Sequence, residues 1–153
     1  MAYLSKQLFV GRSSIPFGGN GLFTRKPIRK GERIVEYKGK ITSWKDVNHR
    51  NGSNGYIYYV NRNHVLDAFG YSKAHGRYAN DARGMGRKKG LRNNAAYETK
   101  GLKVFIDAVK DIPAGSEIFV GYGKEYWDAI RHNKKLAARK LKKDRETASD
   151  VKS

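Results

Sequence analysis

Short apolar runs separated by glycine-containing turns are the feature that most constrains how this chain can fold. Residues 8–10, 56–60 and 104–106 are such runs, and clusters of Gly, Asn and polar residues bound them. Seventeen glycines in 153 residues add further turn positions. This pattern is typical of strands joined by tight turns and leaves little room for long helices. It predicts one domain that is mainly β with short helices.

Two segments of the chain repeat the same turn-and-strand pattern. Residues 28–39 and 112–123 each run from an isoleucine through a glycine turn to a glutamate, an apolar strand and a tyrosine close to glycine. The repeat predicts two similar units that end in Tyr37 and Tyr122. Taken alone, Gly121-Tyr122-Gly123 has two interpretations. It is either a strand end with a core tyrosine, or a hydroxyl presented where the backbone lies close to a ligand.

Composition excludes several kinds of chemistry. The chain has no cysteine, which rules out a disulfide framework, a cysteine nucleophile and a cysteine-ligated zinc cluster. The four histidines, at positions 49, 64, 75 and 132, lack the spacing of metal ligands, so no metal site is predicted. There is also no P-loop and no Gly-x-Ser-x-Gly motif.

The formal net charge of +18 is the strongest compositional signal. Residues 128–153 carry nine Lys/Arg and four Asp/Glu, a net of +5, which leaves +13 for residues 1–127. Such a field attracts nucleic acid or proteins that lie on it. The loop 83–92 and a helix at 131–145 are the expected contacts, although each run could equally be a solvated surface. No apolar span is long enough to cross a membrane. The expected location is intracellular: cytoplasm or nucleoid in a bacterium, nucleus for a eukaryotic or viral protein.

The order of segments predicts the organisation of the chain. Residues 42–47 read as a brief helix with Ser43 as N-cap, and residues 56–68 as a hairpin. Residues 70–94 lose periodicity, and an irregular connection of that length is usually functional. Boundaries are expected after residues 127 and 146. They separate a folded domain at 1–127, a basic helical extension at 128–146 and a disordered tail at 147–153.

Four motifs, in this order, make residues 8–127 resemble a SET domain, the fold of the SET-domain protein lysine methyltransferases. They are Gly19-Asn20-Gly21-Leu22-Phe23; Val65-Leu66-Asp67-Ala68; Arg77-Tyr78-Ala79-Asn80-Asp81 with Asn94; and Gly115-Ser116-Glu117-Ile118-Phe119-Val120-Gly121-Tyr122-Gly123. Each motif is weak singly, and their order and spacing make the resemblance specific.

The resemblance implies a β-clip-like arrangement of several small twisted sheets with a C-terminal pseudoknot. It also implies S-adenosyl-L-methionine as methyl donor, S-adenosyl-L-homocysteine as product, and a protein lysine as acceptor. Tyr122 matches the catalytic tyrosine, and Tyr37 and Tyr97 match positions that line the lysine channel. The residues that match cofactor-binding positions are Asn20, Gly21, Arg77, Tyr78, Asn80, Asp81, Asn94, Tyr126 and Trp127.

Two departures from the family pattern qualify the resemblance. The family usually has Asn-His-Ser-Cys where this chain has Asn80-Asp81-Ala82-Arg83, and an aspartate cannot reproduce imidazole stacking. Many eukaryotic members close the site with a cysteine-rich zinc module, which this chain cannot form. The helix at 126–141 is expected to close it instead, as in a minimal, zinc-free member similar to short viral and bacterial SET proteins. By analogy with such members, a homodimer could complete the substrate groove.

Three functional hypotheses follow. The first is an active lysine methyltransferase whose substrate is a lysine-rich, nucleic-acid-associated protein such as a histone or histone-like protein. The second is a catalytically weak SET-like module that binds nucleic acid or chromatin. The third is methylation of another protein, such as a ribosomal or nucleoid protein. By the resemblance, Tyr97 also matches a Phe/Tyr position that tunes how many methyl groups are added. A tyrosine hydroxyl there can bind the amine or a nearby water and leave less room, so mainly mono- or dimethylation is expected.

Overall fold

The structure is a computed structural model that describes residues 3–16, 19–50, 54–83, 89–122, 135 and 138–143. It divides into two compact units, Met1–Gly121 and Tyr122–Ser153. Each unit is described by itself.

The described part of the first unit is built from nine short strands and two 3₁₀ helices. The 3₁₀ helices are Ser5–Gln7 and His75–Tyr78. The strands are β1 Leu8–Arg12, β2 Asn20–Thr24, β3 Arg33–Glu36, β4 Lys40–Thr42, β5 Ile57–Asn61, β6 His64–Asp67, β7 Ala95–Lys100, β8 Lys103–Ala108 and β9 Glu117–Ile118. The prediction of a mainly β fold with little helix is confirmed.

The strands form three separate three-stranded antiparallel sheets. The first sheet has the order β1-β2-β9, the second β3-β8-β7 and the third β4-β6-β5. Side chains that are almost wholly inaccessible hold the first sheet together, such as the register partners Leu22 and Ile118. The second and third sheets share a cluster that includes Leu66 and Val104. Burial of this apolar area is the main stabilising term for strands this short.

The two repeated turn-and-strand units meet at their first residues. Ile28 N donates to Ile112 O at 2.8 Å, and Ile112 N donates to Ile28 O at 2.7 Å. Both isoleucines are 1% exposed. The turns that follow place Gly31 at φ +92° and Gly115 at φ +81°, the left-handed region that favours glycine. The sequence repeat therefore corresponds to a pairing in the core.

The hairpin predicted at residues 56–68 forms, with β5 and β6 as its arms. Its tyrosines alternate as expected: Tyr58 packs against the shared core cluster, whereas Tyr59 is 54% exposed.

The helix predicted at residues 42–47 is wrong, because this segment forms only a turn. The N-cap chemistry is nevertheless present, since Asp46 N donates to Ser43 Oγ at 3.2 Å and Val47 N donates to Ser43 O at 2.9 Å. Asparagine, histidine and glycine follow, which are poor helix formers. A single closed turn does not offset the entropy of helix nucleation.

An ion pair between neighbouring strands holds the register of the second sheet. Arg33 and Asp107 are register partners, and the guanidinium binds both carboxylate oxygens, at 2.8 and 3.0 Å. This hydrogen bond to Asp107 raises the pKa of Arg33, which is protonated in any case across the neutral range. The guanidinium also lies 4.0 Å from the centroid of the Phe105 ring.

In the second unit, residues 135 and 138–143 are helical and Tyr122 is half-buried. The part of the C-terminal helix that the structure describes is therefore short. The predicted closing helix at 126–141 extends beyond these residues, and Tyr126, Trp127 and the tail at 147–153 lie outside the described part of the chain. The predicted boundaries after residues 127 and 146 stay predictions. Among the described residues, none belongs to a helix long and apolar enough to span a membrane.

Candidate active site

The segment that follows Glu117 lies between two parts of the irregular connection at residues 70–94. On one side, Val120 N donates to Asn80 O at 2.8 Å. On the other side, Phe119 O accepts from both Asn94 N and Ala95 N at 3.0 Å. Both contacts are parallel bridges, in contrast to the antiparallel sheets. A C-terminal segment held between two earlier ones is the arrangement expected of the predicted pseudoknot.

The side chain of Asn94 strengthens this crossing. Its Nδ2 donates to Glu117 O at 3.0 Å, and its Oδ1 accepts from Phe119 N at 2.9 Å. The amide thus replaces one strand residue's donor and acceptor, because a side-chain amide carries both. Asn94, which matches a cofactor-binding position, therefore holds this crossing together.

Asn80 joins the crossing to the start of β2. Its Nδ2 donates to Asn20 O at 2.9 Å. The loop between β1 and β2 is closed by Ser13 N, which donates to Gly19 O at 2.8 Å, with Gly19 at φ +62°. Three predicted cofactor-binding segments, at residues 20–21, 77–80 and 94, are thus connected by hydrogen bonds within one unit.

Glu117 is a functional candidate that the sequence motifs did not single out. Its side chain is buried at 6% exposure, and three donors from the chain after β1 surround the carboxylate. Ser13 Oγ donates to Oε2 at 2.7 Å, Ser14 N to Oε1 at 2.8 Å and Ser14 Oγ to Oε1 at 2.7 Å. Hydrogen bonds to a buried charged acceptor are among the stronger ones in proteins. Glu117 therefore fastens the beginning of the loop between β1 and β2 to β9.

The same carboxylate explains why residue 21 is a glycine. A Cβ on Gly21 would lie 2.4 Å from Glu117 Oε2 and 3.2 Å from Ser13 Cα. The oxygen cannot move aside without losing its donors, and the second obstacle is backbone. Glycine at position 21 is therefore required by Glu117, independently of any ligand. The spacing of Gly21, Ser13 and Glu117 across more than 100 residues left no local sequence signal.

Asp81, which replaces the family histidine, organises its own loop. It is buried, and its Oδ1 accepts from Arg83 N at 2.8 Å and from Asn93 Nδ2 at 2.9 Å. Asn93 Oδ1 in turn accepts from Ala82 N at 2.8 Å. The aspartate therefore fits the fold without strain. A direct part for it in cofactor binding stays a prediction.

Arg77 is partly engaged inside the fold. Its Nη1 donates to Ala68 O at 2.9 Å and to Phe69 O at 2.7 Å, and the guanidinium carbon lies 4.1 Å from the Tyr56 ring centroid. Its Nε is buried with no hydrogen-bond partner among the described residues. An unpaired buried donor on a cation is costly and calls for an acceptor. Tyr78, the next residue, donates its hydroxyl to Ser72 O.

Three tyrosine rings form a cluster where the second and third sheets meet. The centroids of Tyr37 and Tyr58 are 5.9 Å apart, those of Tyr37 and Tyr97 5.9 Å, and those of Tyr58 and Tyr97 5.0 Å. Tyr37 donates its hydroxyl to Tyr56 O at 2.7 Å, which orients that ring. The structure thus brings together Tyr37 and Tyr97, which were predicted to line a channel. Tyr58 was not predicted as a member of this cluster, although the alternation of side chains along β5 places it on the inward face of the strand.

Tyr122 and the remaining predicted residues are placed as follows. Tyr122 comes two residues after Val120, the residue that is bonded to Asn80. Tyr126 and Trp127 lie outside the described residues. Within the residues that the structure describes, no three or more His, Asp or Glu side chains gather in a way that could hold a metal ion.

The donors around the cofactor segments fit the group that the resemblance implies. An amino-acid carboxylate, as in S-adenosyl-L-methionine, is an acceptor of the kind that the buried Nε of Arg77 calls for. Directly before β2, the chain has open space at Gly19, where an added Cβ would meet nothing within 4 Å. The backbone of an exposed glycine can approach a ligand closely.

Comparison with known proteins agrees with this geometry. The chain is similar to the histone-lysine N-methyltransferase EZH2 of Chaetomium thermophilum, with 28% identity over 131 residues, or 80% of this chain. The matched region is 8% of that protein, so the chain spans less than a tenth of this relative's length. Among solved structures, the methyltransferase domain of human PR domain-containing protein 2 has a similar fold, with a TM-score of 0.57 and 24% identity. That alignment covers 76% of this chain and 77% of the other.

The sequence profile of the SET domain matches residues 19–123, which is more than two thirds of the 153 residues. This range contains the crossing at residues 117–120, the Glu117 carboxylate and the tyrosine cluster. The protein is a member of the SET domain family.

Proposed function

We propose that this chain is an S-adenosyl-L-methionine-dependent protein-lysine N-methyltransferase that acts on a lysine-rich, nucleic-acid-associated protein such as a histone or histone-like protein. The observation that carries the proposal is the cluster of Tyr37, Tyr58 and Tyr97, whose centroids lie 5.0–5.9 Å apart. It belongs to the same compact unit as the connected cofactor segments. The relative and the solved structure named above are both called methyltransferases.

The cofactor supplies an activated methyl group on a sulfonium when bound. In this chain, the backbone of Asn20 and Gly21 would contact it, and Arg77 would bind its carboxylate through Nε. Asn80 would hold the contacting turn through its bond to Asn20 O. The hydrogen bonds of Asn94 and Glu117 keep these segments in place. S-adenosyl-L-homocysteine is then the product.

The protein must also present a neutral amine to the methyl group. A free lysine has a pKa of about 10.4, so its deprotonation at pH 7 costs about 4–5 kcal/mol. A channel lined by the rings of Tyr37, Tyr58 and Tyr97 would exclude water from the ammonium group and disfavour its charge. The rings would also align the amine with the bond being formed.

Tyr122 would act by position and polarity. An ordinary tyrosine has a pKa of about 10, so its hydroxyl is protonated at neutral pH and is a poor general base. A hydroxyl close to the transferring methyl can orient the reacting groups and stabilise the charge that shifts during transfer. The proposed role is therefore that of a positioning group at the reaction centre.

Charge on the fold bears on the choice of substrate. Five carboxylates could have formed an acidic groove for a basic tail: Glu32, Glu36, Asp67, Glu98 and Asp107. Asp107 is paired with Arg33, and Asp67 Oδ1 accepts from Asn54 Nδ2 and Phe69 N. Glu98 is adjacent to Tyr97 in β7, so it lies on the opposite face of the sheet from the tyrosine cluster. Three of the five carboxylates are thus paired or face away from the cluster, and the net charge of +18 favours recruitment to a basic substrate through nucleic acid.

Labelled-methyl transfer tests the proposed activity. We expect the protein to transfer label from S-adenosyl-L-methionine to a lysine of one protein in a panel of histones, nucleoid proteins and ribosomal proteins. Millimolar cofactor should also raise the melting temperature, because a ligand that binds only the native state stabilises it. Stabilisation without transfer to any panel member or native lysate would contradict catalysis. Absence of both effects would favour the alternative, a SET-like module that binds nucleic acid or chromatin. An intracellular location and a homodimer stay predictions from the sequence.

Substitution of Tyr97 by phenylalanine tests how product methylation is controlled. We expect the unmodified protein to yield mono- and dimethyllysine, and Tyr97→Phe to shift the product towards trimethyllysine, because loss of the hydroxyl enlarges the space beside the amine. Mass spectrometry of the modified peptide measures the distribution. Tyr59→Phe, an exposed tyrosine of β5, is the matched control and should leave it unchanged. Efficient trimethylation by the unmodified protein would refute this role of Tyr97.

A further inference from the structure

Three aromatic side chains meet at the third sheet, and two of them, Trp44 and Tyr59, are exposed. The ring of Trp44 lies 4.5 Å from that of His49 and 5.6 Å from that of Tyr59, in both cases edge to face. Trp44 is 49% exposed and Tyr59 54% exposed. We call Trp44, His49 and Tyr59 the aromatic patch. Contiguous exposed apolar surface on a protein is often a binding site.

The aromatic patch is held in place by the backbone. Trp44 N donates to Arg62 O at 3.0 Å, which joins the turn after β4 to the turn between β5 and β6. His49 Nε2 lies 3.2 Å from Trp44 O, and Tyr59 belongs to β5. The indole ring is therefore already ordered before a ligand binds, so binding would cost little side-chain entropy.

The surroundings of the aromatic patch are strongly basic. The two segments that carry it, residues 38–50 and 57–67, contain five Lys/Arg and two acidic residues, Asp46 and Asp67. The basic residues are Lys38, Lys40, Lys45, Arg50 and Arg62, all of them exposed. Lys45 follows Trp44 in the sequence, and the backbone carbonyl of Arg62 accepts a hydrogen bond from Trp44 N. Exposed rings among cations present both stacking surfaces and phosphate partners.

We infer that the aromatic patch binds single-stranded nucleic acid, with bases stacked on Trp44 and Tyr59 and phosphates contacting Lys45 and Arg62. This combination of stacking rings with a basic surround is what sequence-tolerant single-strand recognition requires. A duplex keeps its bases stacked internally and would use the cations alone. An acidic or apolar protein partner is the competing occupant, and the experiment distinguishes it. The residues of the aromatic patch are not among the basic runs at residues 83–92 and 131–145, which the sequence predicts as contacts with nucleic acid.

Fluorescence anisotropy with a labelled 15-nucleotide oligo(dT), and with a duplex of the same length, tests the inference on the full chain. We expect the single strand to bind more tightly than the duplex. Trp44→Ala should weaken single-strand binding by at least about 5-fold, the lower end expected for loss of one stacked base, and should change duplex binding little. Trp44→Phe should retain much of the affinity. Lys45→Gln and Arg62→Gln should lower the affinity for both the single strand and the duplex, and should make both affinities less dependent on salt concentration.

Tyr71→Ala is the matched control, because Tyr71 is 41% exposed and lies outside the aromatic patch. It should bind oligo(dT) as the unmodified protein does, and melting curves should show that all variants fold. Equal affinity of Trp44→Ala and the unmodified protein for oligo(dT) would overturn the inference. So would equal binding of duplex and single strand at all salt concentrations. If Trp44→Ala instead weakens the binding of a protein partner and leaves oligo(dT) binding intact, the aromatic patch is a protein-docking surface and the inference is wrong.

Discussion

Replacement of Tyr122 by phenylalanine is expected to lower kcat by about 100-fold or more while cofactor affinity stays within a few-fold. The size follows from the loss of one polar group placed where charge shifts in the transition state. The phenylalanine ring fills the same volume, so the effect is confined to the hydroxyl. Single-turnover methyl transfer gives the rate, and calorimetric titration with S-adenosyl-L-homocysteine gives the affinity.

The pH dependence of this variant separates positioning from proton removal. If Tyr122 orients the reacting groups, both proteins should react faster from pH 7 towards pH 9, because the substrate amine sets the profile. Tyr71→Phe, at an exposed tyrosine, is the control and should behave as the unmodified protein. Unchanged turnover in Tyr122→Phe would remove Tyr122 from the reaction centre. A profile that flattens only in the variant would assign it as a base.

Removal of the Glu117 carboxylate is expected to have the largest effect on stability and cofactor binding together. Glu117→Ala leaves Ser13 Oγ, Ser14 N and Ser14 Oγ without their acceptor and should lower the free energy of unfolding by about 2–4 kcal/mol. Glu117→Gln keeps one acceptor oxygen and should cost about 1–2 kcal/mol. If the loop between β1 and β2, once released from Glu117, occupies its binding geometry only a tenth of the time, the cofactor Kd rises about 10-fold. Urea denaturation and calorimetric titration measure the two effects.

A double-mutant cycle tests whether Gly21 and Glu117 act as a pair. Gly21→Ala alone should be destabilising, because its Cβ would lie 2.4 Å from Glu117 Oε2. In the Glu117→Ala background the same change should cost less, since only the contact with Ser13 remains. Glu98→Gln, at an exposed glutamate of β7, is the control and should change neither stability nor Kd. Additive effects of the two substitutions would refute the coupling.

Much of the fold followed from local patterns. Short apolar runs with glycine turns predicted the strands, and the echo between residues 28–39 and 112–123 predicted two similar units. The sequence pattern did not predict that these units meet through Ile28 and Ile112, because two segments that match in sequence need not be neighbours. It did not predict the division into three small sheets either, since strand pairing is set by contacts between distant segments. The helix expected at residues 42–47 failed because capping was present without helix propensity behind it.

The candidate site was predicted where its residues sit in compact motifs. Asn20, Asn80 and Asn94 were identified through motif order, and the structure joins their segments by hydrogen bonds. The sequence analysis did not predict Asn93 or Tyr58. Asn93 is identified only by hydrogen-bond partners elsewhere in the chain, and Tyr58 only by its position on the inward face of its strand. The carboxylate of Glu117 was missed for the same reason, with its partners more than 100 residues away.

The sequence by itself determined the class of protein, through four ordered motifs, and the basic character of the chain. It also determined which tyrosines to examine, since Tyr37 and Tyr122 close matching units. Only the tertiary structure decided which of these side chains meet. It placed Tyr58 with Tyr37 and Tyr97, gave Glu117 its three donors and set Trp44 against Tyr59 on the surface. The physical reason is that hydrogen-bond satisfaction and burial depend on contacts across the whole chain, whereas motifs report only neighbours in sequence.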